Sequence, residues 1–197
     1  MHDVILAGIL NQNVNLFYMI NGGMDNTVFD FIMPLITNFG SIIAWVVICG
    51  LLFAFGGVKG KKVAVLGLVA LFVSNSIVYL LKFIIAEPRP FLTLPNVDLL
   101  VYENGSYSFP SGHTASSFAA AVVIGLKYKF NFRGKSYGLI YPLLAFAGVV
   151  GFSRIYVGVH YPLDVAFGAL IGILSALIVL KLENTALADK LPGVNSY

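Results

Sequence analysis

The sequence predicts an all-α fold: a polytopic membrane helical bundle with five to six transmembrane helices and an N-terminal interfacial helix. Of the 197 residues, 58% are hydrophobic and only 11% are charged, which is about half the charge of an average soluble domain. The apolar residues also run in long blocks, several of which approach the ~20 residues that cross the hydrocarbon core of a bilayer. These observations exclude an ordinary soluble domain and indicate one integral-membrane domain over residues 1–197.

Residues 1–40 are interpreted as an N-terminal segment that is interfacial or partly inserted. Residues 4–20 are apolar but are interrupted by Asn and Gln, and because no basic stretch precedes them we expect no cleavable signal. Residues 24–40 carry Asp30 and Pro34, which favours a helix that lies at the membrane surface or enters it part way. The predicted number of spans is five or six, depending on whether this segment crosses the membrane.

Five apolar blocks form the predicted helical core over residues 41–181, and residues 182–197 are expected to form a cytoplasmic tail. The blocks are 41–57, 63–81, 112–126, 136–153 and 161–180. The third is shorter than a full span, and the fifth carries Asp164 in its first turn. The single cysteine, Cys49, lies in the first block, so neither a disulfide nor a thiolate metal site can form within one chain.

The basic residues predict which end of the bundle faces the cytoplasm. Because successive spans alternate in direction, most of the twelve Lys and Arg fall on one side, which the positive-inside rule assigns to the cytoplasm: Lys59, Lys61, Lys62, Lys127, Lys129, Arg133, Lys135, Lys181 and Lys190. Lys82, Arg89 and Arg154 remain on the outer side. Singly, each is typical of a helix end or a solvated loop. Beside two histidines on the same side, they indicate a functional site that faces outward from the cell membrane.

Three short stretches carry the candidate site: "KFIIAEPRP" (82–90), "FPSGH" (109–113) and "SRIYVGVHYPLD" (153–164). Arg presents a planar fork of donors to phosphate oxygens, and Lys presents a point charge. Pro110 and Ser111 are typical of a helix entry, whose free amides and positive dipole end attract an anion. Cations, a hydroxyl, a helix start and two histidines together indicate a site that handles a phosphate-like anion.

His160 and Asp164 form the predicted nucleophilic pair. Asp164 follows about one helical turn after His160, so its carboxylate can reach an imidazole nitrogen, select one tautomer and stabilise the cationic ring. A histidine held in this way can attack phosphorus and form a phosphohistidine. Taken alone, such a pair is equally typical of a capped helix end. His113 is the candidate acid that protonates the leaving oxygen, since His2 is terminal.

In order and spacing, these stretches resemble the three-part signature of the type 2 phosphatidic acid phosphatase superfamily. The matching positions are Lys82, six residues, Arg89 and Pro90; Pro110, Ser111, Gly112 and His113; and Ser153, Arg154, five residues, His160, three residues and Asp164. The resemblance implies a metal-independent phosphatase without a cofactor, in which His160 is the nucleophile, Asp164 orients it, and His113 is the acid and later the base. It also implies that the phosphate is bound by Lys82, Arg89, Ser111, Gly112 and Arg154.

Within that superfamily, "EPRPF" (87–91) and the short chain resemble the small undecaprenyl-diphosphate phosphatase branch. The resemblance implies a lipid phosphate or diphosphate as substrate, the bilayer as surroundings and no nucleic-acid partner. The expected reaction converts a polyprenyl diphosphate to the monophosphate. Phosphatidylglycerol-phosphate phosphatase, phosphatidic acid phosphatase and lipid phosphotransferase are the alternatives. A non-enzymatic lipid transporter of this fold is disfavoured, because both histidines and all the phosphate-binding cations are present. The sequence predicts no oligomeric state.

Two further groups of polar residues receive ordinary interpretations. The outer-loop acids Glu87, Asp98 and Glu103 are interpreted as solvated, since no His or Cys accompanies them at metal-ligand spacing. The polar residues of the second block are interpreted as helix-packing groups: Ser74, Asn75, Ser76 and Tyr79.

Overall fold

The computed structural model of the chain describes residues 2–103 and 107–190. Its helices are α1 (His2–Asn21), α2 (Thr27–Phe39), α3 (Ile42–Phe55), α4 (Gly57–Ile85), the single turn α5 (Pro90–Thr93), α6 (Gly112–Lys127), α7 (Ile140–Tyr156) and α8 (Pro162–Lys190). One antiparallel hairpin, β1 (Lys129–Phe132) and β2 (Lys135–Gly138), lies between α6 and α7. The fold is therefore mostly helical, as predicted, with a short hairpin in addition.

The length and composition of each helix indicate how many spans the described chain can form. By length and composition, two helical segments of the described chain can cross a bilayer alone, Gly57–Thr93 and Pro162–Thr185. Helices α2 and α3 pass the same test together but bend by 57° at their break, which is typical of a broken span or a re-entrant loop. Helix α7 is apolar but shorter. The prediction of five to six spans is not confirmed, and the structure supports two or three.

The bend between α2 and α3 has a local cause in the helix caps. Ser41 stands between the two helices, and its hydroxyl accepts a hydrogen bond of 3.2 Å from the backbone N–H of Ala44. An N-cap serine satisfies a free amide of the helix that follows it and so favours a new helix start over a continuous one. Residues 1–40 accordingly form two helices, and the first predicted span begins as a separate helix.

Helix α6 lies at the centre of the bundle and packs against α4, α7 and α8. Its buried residues are mostly small, which allows neighbouring backbones to approach closely. At Gly168 of α8 an added Cβ would lie 2.5 Å from the Ser111 carbonyl oxygen, and at Gly172 it would overlap the carbonyl of Ala115. The two glycines therefore let the first turns of α8 cross the start of α6, where candidate site residues lie.

The N-terminal helices cover the junction between α7 and α8. Phe17 of α1 and Met33 of α2 are buried in one apolar cluster with Tyr156 and Val159. Asn21 closes the contact with polar bonds, since its Nδ2 donates to the carbonyls of Asp98 and Tyr156, at 2.8 Å each. This cover makes the turn that carries His160 part of a packed core.

One predicted boundary is wrong at the opposite end of the bundle. The fourth block, 136–153, was expected to be one helix, but Lys135–Gly138 forms a strand and α7 runs from Ile140 to Tyr156. Arg133 and Gly134 have φ values of 50° and 73°, which suits a tight hairpin turn. The expected tail is helical as far as Lys190, and its last residues, 191–197, lie outside the described chain.

Candidate active site

The three motif stretches meet around one cavity of about 210 Å³. Its walls include Lys82, Arg89, Glu103, Gly112, His113 and His160. Arg154 and Asp164 are buried and reach the cavity through residues that line it: Arg154 contacts Glu103, and Asp164 contacts His160. Ser111 is also buried but is absent from the described cavity wall.

His160 is held from behind by Asp164. The ring is 1% exposed, and its Nδ1 lies 3.1 Å from Oδ2 of Asp164. The same Oδ2 accepts the backbone N–H of Tyr161 at 2.8 Å. A carboxylate at Nδ1 favours the tautomer with its proton on that nitrogen, which leaves the lone pair on Nε2. The nucleophilic nitrogen of this tautomer is therefore Nε2.

The surroundings of His160 keep its ring neutral. Burial lowers its pKa well below the ordinary value, and the positive charges of Arg154 and Arg89 act in the same direction. Nη1 of Arg89 lies 3.4 Å from Nε2 while it donates to the carbonyl of Val159 at 3.0 Å. A neutral ring beside a guanidinium is suited to attack a phosphoryl group that the same guanidinium holds.

Glu103 joins the two buried arginines, so its interpretation as a solvated loop residue is wrong. Oε2 of Glu103 lies 2.5 Å from Nη2 of Arg89, and Oε1 contacts Nη2 of Arg154. The arginines are 2% and 1% exposed, and buried guanidiniums require an anionic partner. Burial opposes ionisation of Glu103, but Arg154 and Arg89 outweigh it and hold the pKa of Glu103 below its usual value.

The positions of Lys82 and Arg154 are set by neutral oxygen acceptors. Lys82 donates through Nζ to the carbonyl of Ser108 at 3.0 Å and also contacts the carbonyl of Tyr107. Arg154 donates through Nη1 to the hydroxyl of Thr37 at 2.7 Å. The neutral acceptors hold the two side chains in place without cancelling their positive charges, and Arg154 is in addition paired with Glu103.

The start of α6 differs in part from its predicted role. The hydroxyl of Ser111 accepts the backbone N–H of Thr114 at 3.4 Å and the hydroxyl of Thr114 at 2.9 Å. It therefore serves as an N-cap, and the structure does not bring it to the cavity as a phosphate ligand. Gly112 and His113 follow it into the cavity wall, where the first amides of a helix can bind an anion.

Sequence reasoning missed Ser108 and Glu103 as site residues. Ser108 is fully buried and contacts both His160 and Asp164. Ser108 could have been predicted from its position directly before "FPSGH". Glu103 could have been predicted because buried arginines need an acidic partner. Asn75, interpreted as a packing residue, does donate to Ser116 at 3.0 Å, and both residues also line the cavity.

The described residues contain no group of three or more His, Cys, Asp and Glu that could hold a metal ion. The cavity wall also contains groups that could bind an anion: Lys82, Arg89 and the first turn of α6. The arrangement offers a neutral nucleophile, an anion site and a second histidine. Chemically, it is able to transfer a phosphoryl group from a substrate to His160.

Comparison with known proteins gives matches over most of the chain. Residues 63–187 match the family model described as the PAP2 superfamily. The bacitracin transport permease protein BcrC of Bacillus licheniformis is 41% identical over 121 residues, which are 61% of this chain and 56% of that protein. The chain thus spans only about half the length of that relative.

A second relative and one solved structure match at greater coverage. Undecaprenyl-diphosphatase BcrC of Bacillus subtilis is 31% identical over 178 residues, which are 88% of this chain and 85% of that protein. The crystal structure of Aquifex aeolicus LpxE superposes with a TM-score of 0.74 at 33% identity and covers 86% of this chain and 95% of that one.

Proposed function

We propose that this chain, a member of the PAP2 superfamily, is a membrane lipid phosphatase that hydrolyses a polyprenyl diphosphate to the monophosphate through a phosphohistidine. Membership confirms the family that the three motifs predicted. The observation that carries the proposed mechanism is the position of His160, with Asp164 behind its Nδ1 and Arg89 beside its Nε2 at the cavity.

In the first step, Nε2 of His160 attacks the terminal phosphorus and the bond between this phosphorus and the bridging oxygen breaks. His113 gives a proton to the departing oxygen, so the lipid monophosphate leaves without a full additional charge. Burial and the charge of Arg154 lower the pKa of His113 to about 3 in the unliganded protein, so the proposed step requires the bound diphosphate to raise this pKa. Asp164 stabilises the positive charge that develops on the imidazole. Arg89, Lys82 and the amides at the start of α6 bind the oxygens of the transferred group.

In the second step, water attacks the phosphohistidine and the bond between phosphorus and Nε2 breaks. His113, now neutral, accepts a proton from this water, which restores both histidines and releases inorganic phosphate. Each charge that develops in the two steps is stabilised by a side chain or a backbone amide of this chain. We therefore propose that the reaction needs no metal ion.

A relative supports the diphosphate substrate, and the cavity and its surroundings support a lipid whose head group alone enters. The B. subtilis relative named undecaprenyl-diphosphatase aligns over 88% of this chain. The cavity volume of about 210 Å³ suits a phosphate group but not a lipid tail. Ile43 and Tyr79 line it and are 72% and 68% exposed, so an apolar tail can stay among lipids while its head group enters.

The site is proposed to face the outside of the cell membrane. The motif residues lie at the start of α6, whereas Lys62 and Lys127 pair with Glu183 towards the other end of the bundle. Exposed Lys129, Arg133 and Lys135 lie near that same end, on the hairpin after α6. The positive-inside rule assigns this basic end to the cytoplasm.

The test is phosphate release by purified protein from a panel of lipid phosphates in the presence of EDTA. Undecaprenyl diphosphate, phosphatidylglycerol phosphate and phosphatidic acid are compared by kcat/KM, with His160→Ala as the inactive control. We expect the highest kcat/KM for the diphosphate. A preference for either glycerolipid would refute the substrate assignment and leave the mechanism intact.

The same assay separates the phosphatase from two other candidate activities. Release of free phosphate in the absence of any acceptor lipid argues against a phosphotransferase. The name of the B. licheniformis relative gives transport as its activity. A transport function predicts no phosphate release from any lipid of the panel.

A further inference from the structure

We propose that Ser108 is a positioning residue, which holds Asp164 and thereby the reactive tautomer of His160. The inference rests on the proposed function, since it assigns a role within the same phosphoryl-transfer site. It starts from an observation outside the sequence motifs: the hydroxyl of Ser108 lies between the two members of the nucleophilic pair.

The side chain of Ser108 makes two contacts in a fully buried position. Its Oγ donates to Oδ2 of Asp164 at 2.5 Å and lies 3.3 Å from Nδ1 of His160. A serine hydroxyl has one proton and two acceptor lone pairs. Because the proton is given to Asp164, the oxygen can only accept from His160. The contact therefore requires a proton on Nδ1, which is the tautomer whose free lone pair is on Nε2.

The backbone of Ser108 fixes this hydroxyl in place. Its N–H donates to the carbonyl of Glu87 at 2.7 Å, and its own carbonyl accepts Nζ of Lys82 at 3.0 Å. Both partners belong to the "KFIIAEPRP" stretch, whereas Asp164 and His160 belong to the third stretch. Ser108 is thus bonded to two separate parts of the site, and its hydroxyl is held at a defined distance from each member of the pair.

Ser108 acts through Asp164 and His160 rather than on the substrate. It is fully buried and does not belong to the described wall of the cavity. Loss of its hydroxyl removes one donor from Asp164 and one acceptor from the Nδ1 proton, while the phosphate-binding groups keep their places. The expected effect is therefore on the rate of the chemical step and not on substrate binding.

The test is steady-state kinetics of Ser108→Ala with Ser117→Ala as the matched control. Ser117 lies on α6 and is equally buried, but it does not line the described cavity. Its hydroxyl accepts a hydrogen bond of 3.1 Å from Nε1 of Trp45. We expect Ser108→Ala to lower kcat by about 10- to 100-fold with KM within about twofold of wild type. We expect Ser117→Ala to keep kcat close to wild type.

A double-mutant cycle separates positioning from a structural role. Because Ser108 acts through Asp164, the Ser108→Ala change should cost much less in an Asp164→Asn background than in wild type. Equal losses in both backgrounds, a rise in KM with unchanged kcat, or an equal loss in Ser117→Ala would each overturn the inference. If His160→Ala retains activity, the proposed function itself fails. If His160→Ala is inactive but Ser108→Ala is fully active, this inference fails and the proposed function stands.

Discussion

Replacement of Glu103 by Gln should make the protein bind phosphate-like anions more tightly. Glu103 lines the cavity and contacts the guanidinium groups of both Arg89 and Arg154. A phosphate bound beside His160 needs donors from Arg89, whose guanidinium is held by this carboxylate. The carboxylate therefore competes with the substrate, and Gln, which has no charge, competes less.

The size of the effect follows from the contacts that the anion must replace. A hydrogen bond to a charged group contributes about 1.5–3 kcal/mol. Gln keeps one neutral oxygen that can still accept from one guanidinium, so the variant loses about one charged contact. We expect the inhibition constant of vanadate, a mimic of the transferred phosphoryl group, to fall by about 10- to 100-fold.

The same substitution should destabilise the unliganded protein. Arg89 and Arg154 are buried, and without Glu103 their charges lack this acidic partner. The Tm of Glu103→Gln should therefore fall, and vanadate should restore more of the Tm in the variant than in wild type, because the anion replaces the missing charge.

The stabilisation by Glu103 also has a predictable pH dependence. The neighbouring arginines hold the pKa of Glu103 below its usual value despite burial. A depressed carboxyl pKa stabilises the folded state above the unfolded value of about 4.3, and this contribution is lost as the pH falls through the folded value. Wild type should lose this contribution at acid pH, whereas Glu103→Gln lacks it at every pH.

The assay is vanadate inhibition of phosphate release, together with Tm measured with and without vanadate. Glu183→Gln is the matched control, because Glu183 also joins two cations, Lys62 and Lys127, but away from the cavity. It should leave vanadate inhibition unchanged. Weaker inhibition in Glu103→Gln would falsify the argument and would mean that the carboxylate orients the arginines for the substrate.

The remaining predictions concern the reaction and the orientation of the site. His160→Ala should abolish phosphate release, and Asp164→Asn should lower kcat by about 10³- to 10⁴-fold without unfolding the protein, which Tm checks. His113→Ala should slow lipid substrates more than activated aryl phosphates, which need less protonation of the leaving group; equal losses would contradict its role as the acid. Activity should survive EDTA, and loss that Mg²⁺ restores would contradict the metal-free reaction. In intact cells, an impermeant thiol reagent should label Asn96→Cys but reach Ser136→Cys only after lysis, and the reverse pattern would overturn the orientation.

The motif residues could be predicted because their chemistry restricts residue type and spacing. His160 and Asp164 are separated by one helical turn, so their contact needs only the local geometry of the start of α8. The first three apolar blocks agree with α3, α4 and α6 to within a few residues, except that α4 begins earlier and includes the basic residues expected in a loop. These features depend on neighbouring residues in the chain.

Other features depended on contacts between distant parts of the chain. Glu103 reaches Arg154 across 51 residues, and Ser108 reaches Asp164 across 56, so no local pattern predicted either contact. Ser111 was expected both to begin a helix and to bind phosphate; the cap is observed, and only the packing at the start of α6 shows that Ser111 is absent from the described cavity wall.

By itself, the sequence determined the membrane class, the family and the candidate phosphate-binding groups, because apolar block length and motif spacing are properties of the chain alone. The tertiary structure decided which of those groups line the cavity and which stand behind it. It also decided the bend between α2 and α3, because an apolar run crosses a bilayer or turns back according to its caps and neighbours. It also placed Glu103 between two arginines, because these side chains need an acidic partner only once helix packing has buried them.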